Sequence, residues 1–416
     1  MKIHAIKILL LLFVFSDIYS QSTDLKSDSL LNKAINIFID CTNCDMEFIK
    51  KEIQIVNYVR EQKEADVFIM VTSQTTGSNG TEFTFTFIGQ KRFSGVNDTL
   101  VFNSNPDDSY DDIRRGKLNI LKLGLIRYIS KTPQANLLSI NYLVNEDNDE
   151  LIDKWNNWVF EINGNMYMNG EESSNNYSLY SYASINQIKE EHKIMIGLYS
   201  NLSQNNYKIE DETITSNYQS QSASFLYVKS LTDHWSAGIS NSLWSSLYSN
   251  IDFNFTAYPT VEYNLFKYSE STRRQLCFQY KTGYVYNNYI DTTIYGMTEE
   301  NLLKESLSIA FTINDKWGSI STSLSGSHYF HDIDINNINL WCNIRIRIVK
   351  GLSFNVYAYA SLIHDQINLQ KEGATSEEIL LQQRLLATQY SYYCSTGLTY
   401  TFGSIYNNIV NPRFGN

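Results

Sequence analysis

Residues 253–265 read FNFTAYPTVEYNL, and their side chains alternate along the whole stretch. Mostly apolar residues occupy the odd positions, from Phe253 through Val261 to Leu265. The positions between them carry Asn254, Thr256, Tyr258, Thr260, Glu262 and Asn264. A period of two is typical of a β-strand with one apolar and one polar face. This run exceeds an ordinary soluble strand and suits a tilted strand that crosses a bilayer, which takes about ten residues.

The same alternation recurs through the second part of the chain. One face of 338–348 carries Ile338, Leu340, Cys342, Ile344, Ile346 and Ile348. The alternating segments lie near 156–169, 176–188, 193–206, 217–230, 235–248, 251–266, 274–291, 302–314, 318–331, 337–349, 352–367 and 386–403. Strands in a bilayer must be paired on both sides, so they have to close into a ring. Residues 155–404 therefore predict a transmembrane antiparallel up-and-down β-barrel of about twelve strands, an even number as single-chain bacterial barrels require.

Composition supports a barrel and excludes one class of partner. The 416 residues include 30 Tyr but only 4 Pro, and aromatic residues reach 14%. Barrels place many aromatic side chains at the two membrane interfaces. The net charge of −11, without a basic stripe, argues against a nucleic-acid partner.

The first 20 residues have the pattern of an export signal. Lys2 and Lys7 supply positive charge, 8–15 are apolar, and 16–20 are mostly small or polar. Eight apolar residues are too few for a membrane helix, which takes about twenty. We therefore expect residues 1–20 to be a signal peptide, cleaved before Gln21.

Residues 33–131 mix helical and strand periods and predict a small α/β domain, here called the head. Its expected order of elements is β-α-β-β-β-α, which forms one sheet packed with two helices. The elements are a strand at 35–40, a helix at 45–53, a strand around 67–71, a hairpin through 77–80 into a strand containing Phe83, Phe85 and Phe87, a strand at 99–103, and a helix near 109–130. In the last helix, Gly116 and Gly124 are candidates for close approach to the sheet.

The connections predict which way the chain is oriented. Short connections such as 189–192 and 350–351 follow even-numbered strands, and longer ones such as 208–216 follow odd-numbered strands. Barrels of this kind have short periplasmic turns and long outer loops. We therefore expect the head, a linker at 132–154 and a tail at 405–416 to lie on the periplasmic side of the outer membrane.

Two segments carry a family resemblance. Residues 263–274, YNLFKYSESTRR, and 401–414, TFGSIYNNIVNPRF, resemble a group of uncharacterised outer-membrane proteins of Bacteroidetes-type bacteria. The head is similar, in topology only, to the periplasmic domains of TolB and CsgG proteins. The aromatic end at 400–402 is similar to the signal that the barrel-assembly machinery reads, although a tail continues beyond it. The resemblance implies location, outer-membrane lipid and that machinery as partners, and no activity.

Cys41 and Cys44 lie where a strand meets a helix. A helix N-terminus lowers the pKa of a thiol, so a redox pair is one interpretation. The flanking residues lack the thioredoxin pattern, and no second pair of ligands is present for zinc. A structural disulfide or two inert thiols is the favoured interpretation, and we expect no metal.

The alternation places charged side chains on the lumen face of the barrel. They are Glu161, Glu262, Lys281, Arg345 and Arg347. The two arginines could form a constriction that selects anionic or zwitterionic solutes. Alternatively, the arginines pair with the two glutamates and fill a narrow barrel, which is the favoured interpretation.

Histidines and acids also gather at the predicted outer rim. They are His328, His331, Asp332 and Asp334 on one strand, and His364 and Asp365 two strands further on. Outer-membrane hydrolases use such groups to activate water. No motif of those enzymes is present, so we expect no enzyme, no catalytic residue and no cofactor. A helix at 377–387 in the last outer loop could fold inward as a gate.

Two functions remain open from the sequence. The first is a porin-like conduit for small polar solutes, with the head as a periplasmic docking domain. The alternative is a non-conducting scaffold whose head binds another envelope component. A hydrolase at the outer rim is a remote third.

Overall fold

The computed structural model describes residues 34–77, 79–139, 153–209, 212–373, 381, 383–404, 408 and 413. The predicted signal peptide lies outside the described residues, as do most of the predicted linker and tail. The described chain forms a five-stranded sheet followed by a twelve-stranded sheet.

The head is a mixed sheet with two helices on one face, and its strand order is β2-β1-β3-β4-β5. Its elements are β1 (Asn36–Asp40), α1 (Met46–Glu52), β2 (Asn57–Tyr58), β3 (Val67–Thr75), β4 (Thr81–Gly89), β5 (Asn97–Ser104) and α2 (Tyr110–Ile129). The order is the predicted one with a short strand added, because β2 pairs in parallel with the outer side of β1.

Local sequence explains where α2 begins and how it packs. The Ser109 side chain accepts from the backbone of Asp112, and the Asp112 carboxylate accepts from that of Ser109, which completes a capping box. A Cβ at Gly124 would lie 2.1 Å from the ring of Phe87, so only glycine lets the helix approach this closely. Gly116 has the same relation to Phe102. Both close approaches predicted from the sequence are therefore present.

The head extends further than predicted. The segment Pro133–Leu137 forms a 3₁₀ helix, capped by the Thr132 side chain. Leu138 packs against the core of the head. The first residues assigned to the linker therefore belong to the head, where Thr132 and Gln134 are buried.

The second sheet consists of antiparallel strands whose spatial order follows the sequence from β6 to β17. They are β6 (Trp158–Gly170), β7 (Ser174–Ile188), β8 (His192–Ile209), β9 (Glu212–Ser230), β10 (Trp235–Ser246), β11 (Ile251–Asn264), β12 (Arg274–Tyr289), β13 (Glu299–Asp315), β14 (Gly318–Tyr329), β15 (Asp332–Val349), β16 (Leu352–Ile363) and β17 (Tyr390–Tyr400). The predicted loop at 208–216 is wrong: β8 runs to Ile209, β9 begins at Glu212, and Lys208 pairs with Thr213.

The strand register fixes which side chains share a face. Directly paired residues point the same way, and Glu262 pairs with Ser236 on one side and Gln279 on the other. The face that contains Glu262 is rich in serine, asparagine and tyrosine, and it forms the lumen. The opposite face is mainly apolar, as in residues 338–348 of β15. This is the up-and-down architecture of an outer-membrane β-barrel, as the alternation predicted.

The first and last strands are the edges of the sheet. β6 pairs with β7 and β17 with β16, and within the described residues no ladder joins β6 to β17. Side chains along both edge strands are exposed: Ile162 of β6 is 90% exposed and Tyr392 of β17 is 75% exposed. None of the helices in the described part of the chain combines the length and apolar character needed to cross a membrane.

Candidate functional site

The head lies against the end of the barrel that the short turns close. The Asn79 side chain of its β3–β4 turn donates to Glu161 at 2.7 Å, and Gly77 lies against Ile188 at the end of β7. The backbone N–H of Gly351, in the β15–β16 turn, donates to Glu61 of the head at 3.1 Å. The same end therefore carries both the short turns and the head.

One face of the head's sheet covers this mouth of the barrel. We call it the mouth face: Phe38 and Asp40 of β1 with Phe68 and Met70 of β3, which are paired in register. Both helices pack on the opposite face. Phe68 is nevertheless completely buried and Met70 is 4% exposed, and the Phe38 and Phe68 rings stack at 5.9 Å.

Arg347 joins the mouth face to the barrel. Its guanidinium pairs with the Asp40 carboxylate at 2.8 Å, lies 5.3 Å from the Phe38 ring centroid, and donates to the Lys316 carbonyl at 3.0 Å. The predicted pairing of the two arginines with Glu161 and Glu262 is wrong. Arg347 finds its carboxylate on the head, which the alternation of the barrel could not reveal.

A second ion pair and the end of the chain also hold the head. Lys350 donates to Glu64 at 2.7 Å, and this hydrogen bond holds the pKa of the Glu64 carboxyl below its usual value. Asn408, beyond β17, accepts from the backbone N–H of Tyr58 at 2.6 Å. The edge strand β2 is thus bound by a residue of the predicted tail.

At the other end of the lumen, the loop between β16 and β17 folds inward. Ile367 is 5% exposed and packs on Val285, Leu302 and Tyr329, which the register places on the lumen face. Asp365, beside it, forms an ion pair with Lys304 at 3.0 Å and accepts from Asn337 at 3.0 Å. An apolar side chain has been drawn into a polar lumen and covered there.

Backbone contacts pin this inward loop to its neighbours. The Asn368 side chain donates to the Ser249 carbonyl at 2.7 Å, and the Asn250 side chain donates to the Asn368 carbonyl at 3.0 Å. The Ile294 N–H donates to the Leu369 carbonyl at 2.8 Å. We call residues 365–370 the loop plug. The predicted gate helix at 377–387 is not found in its described residues, 381 and 383–387.

The five predicted lumen charges all lie on the lumen face, but the structure does not gather them into one constriction. Glu262 accepts from Gln279 and from the Tyr268 hydroxyl, each at 3.0 Å. The Lys281 ammonium lies 5.4 Å from the Tyr258 ring centroid. Within the described residues, the Arg345 side chain makes no hydrogen bond, ion pair or ring contact. These charged side chains therefore do not pair with one another.

The rim histidines and acids are not brought together. His328 faces outward with Glu305 and bonds it at 2.8 Å, whereas Asp365 serves the loop plug. His364 bonds the Asn336 side chain at 3.2 Å. Across the described ranges, no group of three or more His, Cys, Asp or Glu side chains is placed to hold a metal ion.

Cys41 and Cys44 form a disulfide at the turn between β1 and α1. The ammonium of Lys117 on α2 donates to the Asn43 carbonyl inside this turn at 2.7 Å and lies 3.9 Å from the Phe83 ring centroid. Its burial lowers the pKa of Lys117. The disulfide and the lysine together fix the turn onto the helix side of the head, away from the mouth face.

The comparisons with known proteins identify no family. No family model matches the chain, and no curated protein matches it. Among solved structures, it is similar to one described as the NanC porin in a rhombohedral crystal form, with 8% identity and a TM-score of 0.25. The likeness covers 58% of this chain and 99% of that one. At that TM-score it supports no conclusion about function.

Sequence reasoning missed the mouth face and the loop plug. Residues 67–70 read VFIM, an uninterrupted apolar run, which is typical of a strand buried on both faces. That run is a signal for a second packing surface on the head, although it does not say what covers it. The loop plug has a weaker signal, because Ile367 and Leu369 alternate with polar residues over too short a stretch to show what they pack against.

Proposed function

We propose that this chain is a gated outer-membrane conduit for small polar solutes, seen here in a closed conformation. One observation carries the proposal: two separate elements, the head and the loop plug, occupy the two ends of a lumen whose wall carries hydroxyl and amide side chains. Such a wall replaces the hydrogen bonds that a polar solute gives up on leaving water. A barrel that served only as an anchor would not need two closures.

The contacts at each closure suit reversible opening. The Arg347–Asp40 and Lys350–Glu64 pairs are partly exposed, and exposed ion pairs stabilise by about 0–1 kcal/mol each. The loop plug buries two apolar side chains, Ile367 and Leu369, and each contributes about 1.5–3 kcal/mol. Displacing the head also exposes Phe68 and Met70 of the mouth face, but neither displacement breaks a pair in the strand ladders.

The same proposal includes location. Bacterial barrels have short turns on the periplasmic side, and the head lies at the short-turn end. We propose that the head is periplasmic, and that the predicted signal peptide and the barrel-assembly machinery deliver the chain to the outer membrane. Membership of the Bacteroidetes-type group stays a prediction.

Single-channel conductance in planar bilayers tests the conduit. We expect rare or no openings for the wild type. Releasing the head alone, with Asp40→Asn and Glu64→Gln, or the loop plug alone, with Asp365→Asn and Ile367→Ser, leaves the other closure in place. The combined variant should show long, discrete openings, because two gates in series both have to open.

A matched control keeps the result specific. Glu52→Gln removes an exposed pair with Lys122 within the head, 3.8 Å long, and should leave conductance as in the wild type. If the combined variant migrates as a folded barrel in unheated gels and shows no discrete channels, the conduit is excluded.

The second candidate is the non-conducting scaffold. The burial of Phe68 and Met70 favours it, because an apolar mouth face resembles a permanent seal. In that case α2 offers the surface for another envelope component, since Tyr110 is 67% and Leu123 is 57% exposed. A silent combined variant would favour this candidate. Neither proposal includes an enzymatic step, and peptide or lipid hydrolysis lost in His364→Ala would contradict both.

A further inference from the structure

A cavity of about 610 Å³ lies between the head and the barrel turns, but Arg347 and Lys350 on its wall already hold carboxylates of the head. A second cavity, of about 450 Å³, lies in the lumen near the short-turn end. We call it the lumen pocket, and its wall includes residues from β7 to β12. Its volume falls in the range of small-molecule sites, about 300–1,000 Å³.

The wall of the lumen pocket carries one carboxylate, Glu262, and two ammonium groups, Lys193 and Lys189, and Lys189 already donates to the Asn156 side chain at 2.8 Å. The donors to the Glu262 carboxylate are neutral, and they include the Gln279 amide and the Tyr268 hydroxyl. Across the pocket, the Lys193 side chain makes no hydrogen bond or ion pair with any described residue. A carboxylate held by neutral donors retains its full charge for a ligand cation, and a free ammonium does the same for a ligand anion.

The same wall also offers an apolar patch. Ile188, Leu226 and Val228 line the lumen pocket, in a lumen that is elsewhere mostly serine, asparagine and tyrosine. Register places Leu226 and Val228 on the lumen face, opposite Ser240 and Gly238. A few aligned polar groups beside an apolar wall are the usual composition of a site that binds an organic solute.

The separation of the two charges sets the size of the solute. Lys193 is in register with Val228, Gly238 and Thr260, one on each following strand, and Glu262 lies two residues beyond Thr260. Three strand spacings of about 4.8 Å separate the two backbones by about 14 Å, and both side chains point into the lumen, where the curvature of the barrel brings their charged ends somewhat closer together. The charges of a free amino acid are too close together to reach both. A dipeptide or tripeptide spans about 7–10 Å when extended.

We propose that the lumen pocket binds short zwitterionic peptides of two or three residues. The peptide ammonium binds Glu262, its carboxylate binds Lys193, and an apolar side chain lies against Leu226 and Val228. This inference rests on the proposed conduit in one respect: it takes the bound peptide to be the solute that the conduit carries. Binding itself requires no conduction.

Isothermal titration of the purified full chain with glycyl-leucine tests the proposal. We expect glycyl-leucine to bind at least about tenfold more tightly than leucine, N-acetyl-glycyl-leucine or glycyl-leucine amide. Lys193→Met should weaken glycyl-leucine binding by about tenfold and leave the amide unaffected, because the amide has no carboxylate for the lysine to bind. Glu262→Gln should also weaken glycyl-leucine binding by about tenfold, and it should leave N-acetyl-glycyl-leucine unaffected, because that peptide has no ammonium for the glutamate to bind.

Lys281→Met is the matched control, a lumen lysine that does not line the lumen pocket, and it should change binding by less than about twofold. All variants must migrate as folded barrels before heating. If Glu262→Gln does not, the comparison of Lys193→Met with Lys281→Met alone tests the proposal. The proposal is overturned if glycyl-leucine does not bind, if its amide binds equally well, or if both lysine variants behave alike. Channels without peptide binding would overturn this inference alone, and binding without channels would overturn the conduit alone.

Discussion

The head and the barrel use opposite solutions to the same problem of burial. In the head, Phe85, Phe87 and Leu121 are completely buried between the sheet and α2. In the barrel, the large apolar side chains point outward, as Leu324 and Leu340 do at 45% and 41% exposure, and the polar ones point inward. The head is arranged for water, whereas the barrel is arranged for lipid. The mouth face is where the two arrangements meet.

Removing a core side chain should therefore affect only the head. Phe87→Ala leaves a cavity beside Gly124, and such substitutions cost about 3–5 kcal/mol. We expect the head to become sensitive to protease, while the barrel keeps its heat-modifiable mobility in gels. Val101→Ala is the control, because Val101 is 46% exposed on β5. Loss of barrel mobility in Phe87→Ala would show that the two parts fold as one unit.

Adding a charge should distinguish the two faces of the barrel. Leu324 and Ser325 are neighbours in the middle of β14, with Leu324 on the outer face and Ser325 on the lumen face. Arginine on a lipid face near the bilayer midplane costs about 2–4 kcal/mol, whereas a hydrated lumen tolerates it. Urea unfolding in vesicles should show Leu324→Arg to be much less stable than Ser325→Arg. Equal losses would contradict the assignment of the faces.

The features that could be predicted from the sequence are those that depend on residues close together in the chain. Strict alternation in 253–265 was sufficient to place Glu262 on the lumen face, and the glycines of α2 identified the close approaches to the sheet. Alternation could not identify partners across the lumen. Glu161 on β6 and Arg347 on β15 share a face but lie on distant strands, and Arg347 instead meets Asp40 of the head. Contacts between distant segments depend on the assembled shape, which a local period does not contain.

A smaller effect is expected where the head meets the barrel. Arg347→Ala removes the pair with Asp40 and should weaken docking of the head by about 1 kcal/mol, or about fivefold in the docking equilibrium. Hydrogen exchange at the Gly351 N–H measures this, because that group donates to Glu61 only when the head is docked. Arg345→Ala is the matched control on the same strand. If both variants exchange alike, Arg347 does not hold the head.

The smallest expected effect is a dependence of docking on pH through Glu64. Its hydrogen bond and charge interaction with Lys350 lower the pKa of the carboxyl in the docked state, and Lys91 adds to the lowering. A lowered pKa means that the docked state favours the ionised form. The contribution is therefore complete above the ordinary carboxyl pKa of 4.5 and is lost as the pH falls through the lower docked value.

Gly351 exchange, corrected for the intrinsic rate at each pH, should accordingly rise on acidification more in the wild type than in Glu64→Gln. Glu82→Gln is a suitable control, because that side chain accepts from Gln74 within the head at 2.7 Å and has no hydrogen bond or ion pair with a described residue of the barrel. Since both Glu64 and Lys350 are partly exposed, salt should reduce the difference. A wild-type response identical to that of Glu64→Gln would remove this ion pair from the closure.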